Sequence, residues 1–107
     1  MPKYMIEAAY SPEGLKGLMA KGGSSRREAI QTMADGLGGS VDALYFAFGD
    51  SDIFIIIDMP DNVSVAAVMM AVSSSGALSS AKTTVLLTPE DVDAAAQKSV
   101  DYSPPGS

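Results

Sequence analysis

The sequence predicts an α+β domain in which helices cover one face of a four-stranded antiparallel sheet. Three observations predict it. Tyr45–Phe48 and Ile53–Ile57 are aromatic and β-branched runs flanking Gly49, Asp50, Ser51 and Asp52, the pattern of a β-hairpin. Helical periodicities with capping signals stand on both sides of that hairpin, and a further strand pattern lies near each end of the chain. The 107 residues, 47% of them apolar, suit one compact core.

Lys3–Tyr10 opens with a strand, Tyr4, Ile6, Ala8 and Tyr10 on one face and Met5, Glu7 and Ala9 on the other. Ser11 is an N-cap with Pro12 in the first helical turn, and Leu15, Leu18 and Met19 follow at helical spacing until Gly22 and Gly23 stop the helix. Ser25 and Glu28 have capping-box spacing, so a second helix is expected from Arg26 to Leu37 with Ala29, Ile30, Met33, Ala34 and Leu37 as its stripe. The hairpin strands are expected at 41–48 and 53–58. Pro60-Asp61-Asn62 turns the chain into 63–73, a helix by its length and its Ala and Met content. Ser73–Gly76 reads as loop, 82–87 as the last strand, and Thr88-Pro89-Glu90-Asp91 as the start of a helix over 89–98. This order is the split βαβ, ferredoxin-like arrangement. A single domain over 1–101 is expected, with Tyr102–Ser107 as an extended tail.

Composition narrows the chemistry. The chain has no Cys and no His, which excludes disulfides, thiolate nucleophiles, Cys–His zinc sites and Ser-His-Asp triads. Neither a cofactor nor a metal is expected. Thirteen acidic against seven basic residues give a net charge of −6, which opposes nucleic-acid binding. There is no signal-peptide pattern and no apolar run near the ~20 residues of a membrane helix, so no membrane contact and a cytoplasmic location are expected.

Two groups of residues are candidate sites. Lys21, Ser24, Ser25, Arg26 and Arg27 bring three cations and two hydroxyls to a helix N-terminus, where free N–H groups and the helix dipole favour an anion. A capped helix joint with solvated cations explains the same residues. Glu7, Tyr10, Tyr45, Phe48, Asp52 and Lys82 are pocket candidates: aromatics between sheet and partner, a strand carboxylate needing Lys82 or Arg26, and a turn Asp that more ordinarily bonds its own backbone. Asp50, Asp52, Asp58 and Asp61 lack the spacing of a calcium loop.

Met1–Leu18, Gly22–Arg27, Phe46–Asp52 and Lys82–Glu90 together resemble GYD domain proteins over nearly the whole length. Gly49 and Asp52 match the Gly and Asp of the family's Gly-Tyr-Asp element, and Ser51 replaces its aromatic. The resemblance implies a small α+β fold similar to dimeric ferredoxin-like proteins, and implies no particular activity.

Assembly is the firmest expectation. Ile53–Ile57 is apolar at every position, yet a helix layer covers only alternate residues, so the other face is expected to meet a second copy in a homodimer or larger symmetric homo-oligomer. The expected function is a non-catalytic module for assembly or for binding a small anionic or aromatic molecule. The alternative is a cofactor-free enzyme, isomerase or monooxygenase-like, with a pocket between sheet faces.

Overall fold

The computed structural model describes residues 1–106. Its elements are β1 (Lys3–Tyr10), α1 (Pro12–Lys21), α2 (Gly23–Gly36), β2 (Ser40–Phe46), β3 (Ile53–Asp58), α3 (Asn62–Ser74), β4 (Leu78–Leu86) and α4 (Pro89–Ala96). The four strands form one sheet in the order β2-β3-β1-β4, every neighbouring pair antiparallel. This is the ferredoxin-like α+β fold.

Alternation within the central strands builds the core. Tyr4, Ile6 and Ala8 of β1 and Ile53, Ile55 and Ile57 of β3 are buried, together with Ile30 and Ala34 of α2 and Val65 and Val68 of α3. Both long helices therefore lie on the same face of the sheet. The register pairs Ile6 with Ile55 and Tyr4 with Ile57 on that face, and Glu7 with Phe54, Met5 with Ile56 and Lys3 with Asp58 on the other.

The caps follow simple chemistry. The Ser11 hydroxyl accepts from the Gly14 N–H at 3.1 Å, and Asp61 accepts from the Ser64 N–H at 2.8 Å. Thr88 and Asp91 form the reciprocal capping box of α4. At two glycines another backbone leaves no room for a side chain. A Cβ on Gly14 would stand 2.1 Å from the Ala77 carbonyl oxygen, and one on Gly39 would stand 2.3 Å from that of Asp58.

Four expectations change. Ser25 and Glu28 do not form a capping box: α2 starts at Gly23, with Gly22 as N-cap and no side-chain cap bond. The glycine pair is a joint between two abutting helices, leaving no extended residue for Ser25 to occupy. β2 ends at Phe46 rather than Phe48, although the Ala47 N–H still donates to the Asp52 carbonyl at 2.8 Å. β4 starts at Leu78, because pairing with Ala8, Ala9 and Tyr10 draws the weakly β-forming Ser79-Ser80-Ala81 into the sheet. α1 has no buried residue, and Leu15 and Met19 of its expected stripe are exposed.

The C-terminal end is unlike the rest. Every residue from Pro89 to Gly106 is exposed. The radius of gyration is 16.9 Å, against about 13 Å for a compact chain of this length.

Candidate ligand site

The joint between α1 and α2 sets the geometry of the cationic cluster. Gly22, at φ 90° and ψ 161°, donates its N–H to the Leu18 carbonyl at 2.7 Å and accepts from the Arg26 N–H at 3.2 Å. It closes one helix and opens the next, in a conformation that suits glycine. The five anion candidates then separate. Lys21, Ser25 and Arg26 turn into a groove between α1, α2 and the α3–β4 turn, where they stand with Tyr10 and Glu13. Ser24 and Arg27 line a different groove, against Leu44, Tyr45 and Phe46 at the β2 edge.

The first groove, of about 690 Å³, is floored by residues with little side chain: Gly14, Gly17, Ala29, Gly76 and Ala77. Below it lies a smaller apolar cavity of about 120 Å³, between the sheet and helices α2 and α3. Ile6, Ile30, Met33, Ile55, Val68 and Val72 are among its walls. Groove and cavity share Tyr10, Arg26, Ala29 and Ala77, which form the passage between them. Burial is the main influence that pushes the Tyr10 hydroxyl above its ordinary pKa; Asp52 adds to this, and the nearby Arg26 opposes it. The phenol therefore stays protonated at neutral pH and can donate a hydrogen bond.

The remaining candidates lie elsewhere. Glu7 and Lys82 are register partners on the sheet face that carries no helices, whereas Arg26 stands with Tyr10 on the helix side. Asp52 is structural, accepting from the Tyr10 N–H at 2.9 Å. Phe48 is fully exposed at the hairpin tip. The turn carboxylates are dispersed among separate tasks: Asp58 bonds Lys3 at 2.9 Å, Asp61 caps α3, and Asp52 holds β1. Lys3 also bonds Asp42, and those hydrogen bonds, Asp42's first, raise its pKa and lower that of Asp42.

Sequence reasoning named Tyr10, Lys21, Ser25 and Arg26 as candidates, in two separate groups, and did not anticipate the cavity beside them. Its walls read as ordinary core stripes. The groove that leads to it is marked by a line of small residues, Gly14 and Gly17 on α1 and Ala29 on α2, with Gly76 and Ala77.

No curated protein matches the sequence. The chain is similar to the crystal structure of a protein of unknown function from Nitrosomonas europaea, at 18% identity over 81% of this chain and 89% of the other, with a TM-score of 0.45. The family model described as the GYD domain matches residues 4–96, and the chain belongs to the GYD domain family.

Proposed function

We propose that this protein is a self-assembling, cytoplasmic module that binds a small molecule, its subunits meeting through the sheet face that carries no helices. The observation that carries the reading is the composition of that face. Met5, Ala43, Tyr45, Phe54, Ile56 and Leu86 occupy it, set by the register, and Phe54 and Ile56 lie on a central strand. Covering each large apolar side chain there contributes up to about 1.5–3 kcal/mol to association, less what the subunit already buries. The polar groups suit an interface: Lys3 is held by Asp42 and Asp58, and Glu7 lies opposite Lys82.

The C-terminal arm supports the same reading. α4 has eight residues, none buried, and helices this short are marginal in water without tertiary packing. Val92, Val100 and Tyr102 are exposed along this arm. A second subunit supplies the packing surface that its own subunit does not.

Native mass spectrometry of the protein purified from its own host tests both halves of the proposal. The expected spectrum shows masses at multiples of 11.0 kDa, some carrying the added mass of a retained small molecule. A spectrum of bare 11.0 kDa monomer would overturn the reading. The cofactor-free enzymatic reading has one observation in its favour, the Glu7–Lys82 pairing, since it sets an acid and a base side by side where a partner sheet would enclose them. It requires that Glu7→Gln abolish a turnover that ligand binding survives.

A further inference from the structure

We propose that the apolar cavity between the sheet, α2 and α3 takes the body of a small organic acid, with the acid's carboxylate held at the mouth by Arg26. The inference rests on the small-molecule part of the proposed function and is independent of assembly.

Size and lining define the body of the ligand. Apart from Tyr10 and Arg26 at the mouth, every residue lining the cavity is apolar. Its volume of about 120 Å³ is comparable to the ~150 Å³ apolar cavities that stay dry and admit benzene. A single ring or a short alkyl chain fills it. A bare phosphate leaves it empty and gains nothing from its walls.

Charge defines the head. Arg26 forms no ion pair among the described residues. Lys21 and Arg26 line the groove against one carboxylate, Glu13, leaving a net positive charge in a chain of net charge −6. A guanidinium presents two parallel N–H donors that match a carboxylate. Tyr10 and Ser25 line the same groove, and their hydroxyls supply further donors. At the passage one cation, Arg26, and one hydroxyl, that of Tyr10, meet the apolar void.

The test uses phenylacetate, titrated into the full chain while side-chain methyl resonances are followed by NMR. The expected result is saturable shifts of the Ile30, Val68 and Val72 methyls, with a Kd of roughly 1 mM or tighter. Phenylacetamide, which keeps the ring but lacks the charge, and inorganic phosphate, which lacks the ring, should each bind at least about tenfold more weakly. Arg26→Gln should weaken phenylacetate by about tenfold or more, and Ala29→Leu should block it by filling the passage. Arg27→Gln, in the other groove, should leave binding unchanged. These three positions are exposed, so thermal melts should show the variants folded. If neither phenylacetate nor hexanoate saturates, or if Arg26→Gln or the amide binds as well as the parent pair, the proposal fails. Sedimentation of the same samples separates the two readings, because oligomers that bind no acid overturn this inference and leave the assembly standing.

Discussion

The two faces of β3 are built from the same kind of residue and stand in different surroundings. Ile53, Ile55 and Ile57 point toward α2 and α3 and keep 3%, 7% and 2% of their surface exposed. Phe54 and Ile56 point the other way and are only half-buried. Hydrophobicity alone does not distinguish the two sets. What differs is that one face is covered within the chain and the other is not, and the proposed assembly would cover the second. The same contrast separates α3, packed through Val65 and Val68, from α4, which buries no residue.

The largest effect that would sharpen this comparison is Ile57→Ala set against Ile56→Ala. Ile57→Ala should cost about 2–5 kcal/mol in urea unfolding, the range for opening a cavity in a closed core. Ile56→Ala should cost most at high protein concentration and progressively less on dilution toward the monomer, because in the proposed assembly its partner atoms lie in another subunit. Equal and concentration-independent losses would erase the distinction. Gly14→Ala probes the margin of the helix-covered side, where the new methyl meets the Ala77 carbonyl. Displacing that backbone should cost about 1–3 kcal/mol, visible as a lower Tm. Tyr4→Phe removes the 2.5 Å bond from the Tyr4 hydroxyl to Asn62 Oδ1 on the covered face, an expected loss of about 0.5–1.5 kcal/mol.

The smallest effect belongs to the polar end of the open face. Asp42 is held below its ordinary value of 3.8 by its bond to Lys3, so its contribution is present above about pH 4 and is lost as pH falls through the depressed value. Lys3 is raised above 10.5 by Asp42 and then Asp58, so its contribution is present below that pH and is lost as pH rises through the raised value. Both groups are exposed, which keeps the effect small. Asp42→Asn should lower the urea midpoint slightly near neutrality, and the gap should close as pH falls through the depressed value.

Much of this was legible in the sequence because local chemistry and tertiary packing agree there. Ser11-Pro12 and Thr88 announce their helices through cap bonds that the structure makes. Alternation in Lys3–Tyr10 grouped Tyr4, Ile6 and Ala8 on one face, and the structure buries that face. The unreadable parts are those where long-range contact overrides local preference. Ser79–Ala81 becomes strand because β1 offers a free edge, and Ser25 loses its capping role because Gly22 already joins two helices. The run Ile53–Ile57 could not show which alternate set faces the helices, since both are apolar; only pairing with Tyr4, Ile6 and Ala8 decides it. The cationic half of the candidate site was visible as Lys21, Ser25 and Arg26. The cavity was not, because its walls, Ile6, Ile30, Met33, Ile55, Val68 and Val72 among them, carry the same apolar pattern as a filled core.

The claim that the uncovered face meets a second subunit is tested most directly by sedimentation of the wild-type chain and of Phe54→Lys at micromolar concentration. The account predicts a wild-type species of at least twice 11.0 kDa that persists on dilution, and a Phe54→Lys chain that no longer assembles. A stable, folded wild-type monomer of 11.0 kDa would contradict it.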